Sequence, residues 1–125
     1  MKKIINSNLA PEPIGPYSQA VLAGNTLYIS GQIAINRASG EMITSDIEVE
    51  TSQVMKNLEA ILSEAGFNFT NVVKCGIFIK NMDNFSKINA VYGKYFTENP
   101  PARETVEVSR LPKDVNVEIS CIAIK

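Results

Sequence analysis

The chain has 125 residues, 45% of them hydrophobic and 20% charged, with a net charge of -1 and no histidine. That length fits one domain, expected to span residues 1–125, which buries about two thirds of its unfolded surface without a disulfide or metal staple. The missing imidazole excludes Ser-His-Asp and Cys-His catalysis and His-ligated zinc, and the near-zero charge gives no electrostatic reason to bind nucleic acid or an anionic membrane.

No apolar run reaches membrane-spanning length, and Met1-Lys2-Lys3-Ile4-Ile5-Asn6 breaks off before a signal-peptide core forms. A cytoplasmic protein with no membrane partner is expected. Lys2 to Ile5 reads as a short edge strand, followed by a loop from Asn6 to Pro16, broken by Pro11, Pro13, Gly15 and Pro16, that sets where Tyr17 enters. Ser18 to Ala23 and Thr26 to Ile35 read as two strands about a Gly24-Asn25 hairpin turn, whose two positions both tolerate positive φ. Tyr17 then faces Gln32 and Gln19 faces Ser30, so Tyr17 and the segment Ser30-Gly31-Gln32 share one patch. Leu27, Ile29, Ile33 and Ile35 fall on one face, with Tyr28, Ser30 and Gln32 on the other.

Arg37 to Glu41 is a turn. Ser45 with Glu48 three residues on forms a capping box, and Ile47, Val54, Met55, Leu58, Ile61, Leu62 and Ala65 recur at helical spacing until Gly66. Val72 to Lys80 is a strand with Val73, Cys75, Ile77 and Ile79 on its buried side. Asp83 caps a second helix through Phe85, Ile88, Tyr92, Tyr95 and Phe96, which Asn99-Pro100-Pro101 stops. Asn89, four residues after Phe85 and three before Tyr92, falls at the margin of the apolar stripe, either as a helix-edge polar group or as a donor aimed across the domain. Cys75 and Cys121 sit on apolar strand faces and read as buried, inert thiols.

Glu104 to Ser109 and Val115 to Ile124 close the sheet. A tight hairpin pairing Ser109 with Asn116 would set Glu107 opposite Glu118, so the register is shifted or the strands are not direct neighbours. The order β-β-β-α-β-α-β-β predicts an α+β fold, a six-stranded mixed sheet with two helices packed on one face. Glu118 shares a face with Ser120, Ile122 and Ile124. Two helices cover only one face, so a partly apolar second face predicts a homo-oligomer with ligand pockets between subunits. Arg103, just behind the rigid Pro100-Pro101 pair, presents two parallel donors to a planar carboxylate, which is either that of Glu118 or a ligand's. Without histidine, acid–base work falls to Glu, Asp, Tyr, Lys, Cys or the substrate.

Several blocks resemble one family. Ile14-Gly15-Pro16-Tyr17-Ser18-Gln19-Ala20, Ser30-Gly31-Gln32-Ile33, Asn89-Ala90-Val91-Tyr92 and Pro101-Ala102-Arg103, then Val106-Glu107-Val108, Leu111-Pro112-Lys113-Asp114-Val115 and Val117-Glu118-Ile119, are similar to the RidA family, also called the YjgF family. The resemblance spans the whole chain with its blocks in order. It implies a chorismate-mutase-like fold, a homotrimer with sites between subunits, and hydrolytic deamination of reactive enamines and imines, notably 2-aminoacrylate and 2-aminocrotonate, to 2-keto acids and ammonia, which protects other enzymes from damage. The resemblance implies neither cofactor nor metal. Carried onto this chain, it makes Arg103 the grip on the substrate carboxylate and Glu118 the holder or activator of water, with Tyr17, Ser30, Gly31, Asn89 and Thr105 lining the pocket. Thr105 stands where many bacterial members carry a cysteine, and Glu104 where a small residue is usual. Strand alternation sends the side chains of 103 and 104 to opposite faces, so an exposed Glu104 is expected.

Two other functions are open at this point. The same pocket would serve a non-catalytic regulatory module that binds keto or imino acids. Some family members are reported as endoribonucleases or translation inhibitors, against which the charge balance, the missing histidine and the lack of a basic stripe all weigh.

Overall fold

The Gly24-Asn25 turn closes as its composition requires, with Gly24 at φ 62° and Ala23 opposite Thr26. The computed structural model describes residues 1–125, and in it the turn joins β2 (Ala20–Ala23) to β3 (Thr26–Gln32), with β1 (Lys2–Ile5) added at the edge. Then follow α1 (Ile47–Glu64), β4 (Val72–Ile79), α2 (Phe85–Tyr92), β5 (Ala102–Glu107) and β6 (Val117–Ile124). The six strands form one mixed sheet in the order β1-β2-β3-β6-β4-β5, in which only β4 and β5 run parallel. Since β4 lies between β5 and β6, Glu107 and Glu118 never meet. The strands are not direct neighbours, one of the two arrangements that like-charge repulsion allows.

Both helices pack on the same sheet face. Val54, Met55, Leu58, Ile61 and Leu62 of α1 and Ile88 and Tyr92 of α2 share one core with Leu27, Cys75, Ile77, Ile119 and Cys121. Both thiols are free and buried, as expected. No helix is long and apolar enough to cross a membrane. The other face keeps Tyr28, Val73, Phe78, Val106 and Ile124, each between 39% and 50% exposed.

Several local expectations need correction. The cap of α1 is Asp46, not Ser45: its carboxylate accepts from Val49 N at 2.9 Å, adding a negative charge at the positive end of the helix dipole. Asp83 does not cap the second helix. Asn81 accepts from Asp83 N and caps a 3₁₀ turn, Met82–Asn84, that leads into α2, and a second 3₁₀ turn, Gly93–Tyr95, takes over where α2 ends. β2 starts at Ala20 rather than Ser18, because the chain before it is occupied in side-chain-bonded loop. β3 stops at Gln32 rather than Ile35.

Alternation fails at two places, each a bulge. On β3 the pairs Ile29↔Cys121 and Gln32↔Ile119 leave Ser30 and Gly31 together opposite Ser120. The extra residue turns Gln32 to the buried side, at 5% exposure, instead of leaving it beside Ser30. On β4 the register shifts between Val72 and Lys74, so Val72 is buried and Val73 exposed, the reverse of the expectation.

Two buried polar side chains brace the segments around the site. Gln19, 1% exposed, accepts from Ser7 N at 2.7 Å and donates to Ser7 O, Ala10 O and Pro11 O, fastening the loop that ends in Tyr17. Glu50, fully buried on α1, accepts from Asn116 N at 2.8 Å and Asn116 Nδ2 at 2.7 Å, fixing the chain just before Glu118.

Candidate functional site

The seven residues singled out by sequence fall into two groups on opposite faces of the sheet. Tyr17, Ser30, Gly31 and Glu118 come together and, with Ile14 and Ile33, line an open cleft of ≈ 360 Å³. The bulge makes this possible. It lets Ser30 N donate to Gln19 O at 2.9 Å while Ser30 Oγ donates to Ser18 O at 2.6 Å, which pins the Tyr17 approach to β3. Gly31 leaves space that Glu118 fills: a Cβ there would lie 2.8 Å from Glu118 Cδ and closer still to Oε2. Tyr17, at the mouth, is 49% exposed.

Burial is the one cause acting on Glu118, and it pushes the carboxyl above the usual carboxylate range. No cation within the chain offsets it. An acid held this way is shifted toward the pH at which it both gives and takes a proton, the task histidine performs elsewhere.

Asn89, Arg103 and Thr105 form the second group. Arg103 pairs across the ladder with Cys75, itself paired with Cys121, so its side chain leaves the sheet on the helix-covered face. Glu118 pairs with Phe78 on the open face. An Arg103–Glu118 ion pair within one chain, one of the sequence readings, is therefore not formed. Arg103 Nη1 instead donates to Asn89 Oδ1 at 2.8 Å, which makes Asn89 an acceptor here rather than the donor considered from sequence. The guanidinium also lies over the Tyr92 ring, 5.1 Å from its centroid, and over that of Phe85 at 5.6 Å. Thr105 Oγ1 and Tyr92 Oη are buried without a hydrogen-bond partner. Burial pushes both the Tyr92 phenol and the adjacent Cys75 thiol up, so both are neutral near pH 7. Glu104 points away, exposed, and pairs with Lys74 at 3.2 Å rather than with Arg103.

Sequence reasoning missed Tyr92 and Phe85 as the bed of Arg103. The signal was available, since Phe85, Asn89 and Tyr92 recur four and three residues apart along one helix face. It also missed Ile14 and Ile33 as cleft walls, for which only the bulge, invisible in composition, would have given notice.

Residues 7–125 match a family model described as endoribonuclease L-PSP. A RutC family protein of Pyrococcus horikoshii is 52% identical over 125 residues, 100% of this chain and 99% of its own. A 2-iminobutanoate/2-iminopropanoate deaminase of Dermatophagoides farinae is 47% identical, covering 98% of this chain and 96% of its own. The crystal structure of YyfA from Yersinia pestis, a protein of the conserved Rid family, superposes with a TM-score of 0.97 at 48% identity over 100% of both chains.

Proposed function

The chain belongs to the endoribonuclease L-PSP family, which is the YjgF/RidA family, and on that premise we propose that it is a 2-iminobutanoate/2-iminopropanoate deaminase. The observation that carries this reading is Glu118, a carboxyl raised by burial, uncompensated, and set over the backbone of Gly31 in an open cleft. An α-imino acid offers a carboxylate, which the free N–H edge of Arg103 suits as a bidentate grip. Glu118 takes a proton from water as the water oxygen bonds to the imine carbon, giving a carbinolamine. That proton passes to nitrogen, Glu118 then takes the hydroxyl proton as the C=O bond forms and the C–N bond breaks, and ammonia leaves a 2-keto acid. For an enamine, the protonated carboxyl first delivers a proton to the terminal carbon. No step asks for a histidine, and placement of water and carboxylate supplies most of the acceleration.

The opposed faces of Arg103 and Glu118 mean that one chain supplies half of such a site twice over. We assign the complete site to two copies, the open face of one, which carries Glu118, meeting the β5 edge of the other, which carries Arg103, as in the homotrimer that family resemblance implies. Tyr17, Ser30 and Gly31 then come from the Glu118 copy, and Asn89 and Thr105 from the Arg103 copy. The endoribonuclease description of the family favours a second reading, RNA cleavage, against which the net charge of -1 weighs.

The test is a coupled assay in which a threonine or serine dehydratase generates the enamine and keto-acid release is followed. Wild type accelerates release, and Arg103→Ala loses about 1.5 to 3 kcal/mol, roughly 10- to 100-fold in kcat/KM. Release no faster than the spontaneous rate with wild type sinks the reading. RNA cleavage by pure protein, abolished in Glu118→Ala, would put the second in its place.

A further inference from the structure

Arg103 lies near the start of β5, an edge strand, where a guanidinium on a flexible stem ordinarily samples many rotamers. Here α2 meets it with one face. Asn89 Oδ1 takes a single N–H at 2.8 Å, which leaves four of the five donors of an arginine for other partners. The rings of Tyr92 and Phe85 bed the group, its central carbon 5.1 Å and 5.6 Å from their centroids. A cation attracted to ring faces is held in position over them, and the N–H groups not engaged there or by Asn89 stay available to a ligand.

The two rings are not equivalent. Phe85 is only partly buried, whereas Tyr92 is 6% exposed and packs against Phe96 at 4.8 Å. Phe96 in turn meets Phe69 edge-on at 5.3 Å, and Phe69 lies 5.1 Å from Tyr95. Tyr92 is thus the front member of a four-ring cluster and cannot rotate away without unpacking it. We propose that Tyr92 is a positioning residue for Arg103, its ring fixing the plane of the guanidinium so that the donor edge is ready for a substrate carboxylate before binding. The inference rests on the reading of Arg103 as the carboxylate grip. A neutral phenol and a neutral Cys75 thiol beneath the group serve the same end, because neither competes with substrate for the positive charge. The ring accounts for this role, since it is the ring that lies under the guanidinium.

Positioning of this kind acts on binding more than on the bond-making step. Tyr92→Leu is expected to raise KM for the imino acid roughly 3- to 30-fold with kcat within about 2-fold, the range spanned by cation–π contacts. Tyr92→Phe, which restores the ring, should return KM toward wild type. Phe85→Leu, at a less buried position, should move KM the same way by less, and covers the case in which Tyr92→Leu fails to fold.

A second readout is independent of catalysis. The chain has three arginines, Arg37, Arg103 and Arg110, so the Nε–H signal of Arg103 in ¹⁵N-labelled protein can be assigned by its loss in Arg103→Lys. It should be shifted upfield by ring current in wild type and Tyr92→Phe, and move to the ordinary arginine position in Tyr92→Leu. An unshifted wild-type signal, or one that stays put in both leucine variants, overturns the proposal, as does a KM that follows the hydroxyl rather than the ring. If wild type hydrolyses no imine, the reaction proposed above fails. The NMR signal, with the affinity for 2-oxobutanoate in place of KM, still decides whether Tyr92 positions Arg103.

Discussion

A methyl group at Gly31 would have to displace the Glu118 carboxylate, because the ideal Cβ position falls within 3.0 Å of Glu118 Cγ and nearer to Cδ and Oε2. Gly31 is not among the residues with positive φ, so the glycine is needed for space and not for backbone freedom. Gly31→Ala should therefore leave stability within about 1 kcal/mol of wild type, since a flexible side chain gives way, while kcat falls roughly 100-fold or more as the proton carrier swings out. Denaturant unfolding beside the coupled assay separates the two effects. Glu118 makes a complementary prediction in pH. Its pKa is raised on folding, so its contribution favours the folded state below the usual glutamate pKa of about 4.3 and is lost as pH rises through the raised value. Glu118→Gln should consequently raise Tm at pH 7 and change it little at pH 4, while abolishing turnover at both. Equal Tm at pH 7 would mean that the carboxylate is not desolvated. Arg103 and Glu118 were legible as charges on strands where core residues belong. The aromatic face that beds the first was present in the spacing of Phe85, Asn89 and Tyr92, but its pairing with Arg103, and that of Glu118 with a glycine, depend on neighbours more than ten residues away in sequence.

Periodicity made the elements legible and misjudged their edges. All six strands and both helices follow from alternation, helical spacing and the Gly24 and Pro100 breaks, yet the two bulges, at Ser30-Gly31 and at Val73, reverse faces that strict alternation assigns. A bulge inserts one residue against a partner strand, and one strand's own composition does not record it. The polar residues that join elements were hidden for a related reason. Glu50, an acidic residue in the first turn of α1, is fully buried and bonded twice to Asn116. Glu50→Ala strands two donors at the base of β6 and should cost about 2–4 kcal/mol by urea unfolding. A loss below about 0.5 kcal/mol would show that water replaces the carboxylate at no cost and that Glu50 is not the brace between α1 and β6.

At the scale of the whole molecule the two halves of the site stand apart by topology. Arg103 is on the ladder row of Cys75 and Cys121, against the helices, and Glu118 is on the row of Phe78, on the open face, so no rotamer change brings them together in one chain. The apolar residues of that open face give a second copy a surface to cover. If each working site takes Arg103 from one copy and Glu118 from another, the two impaired variants must complement each other. In a random one-to-one assembly of Arg103→Ala and Glu118→Ala chains, a site is whole only when the Glu118 side comes from the first variant and the Arg103 side from the second. Statistical mixing makes that about one quarter of all sites. Co-expressed chains should thus recover about a quarter of wild-type kcat/KM, well above the residual activity of either variant alone. A site built within one chain would recover nothing beyond the residual activity of the variants, because every chain in the mixture lacks one of the two groups. The recovered fraction also reports on assembly: it falls toward zero if the protein is diluted below the concentration at which its copies associate, and wild-type activity falls with it.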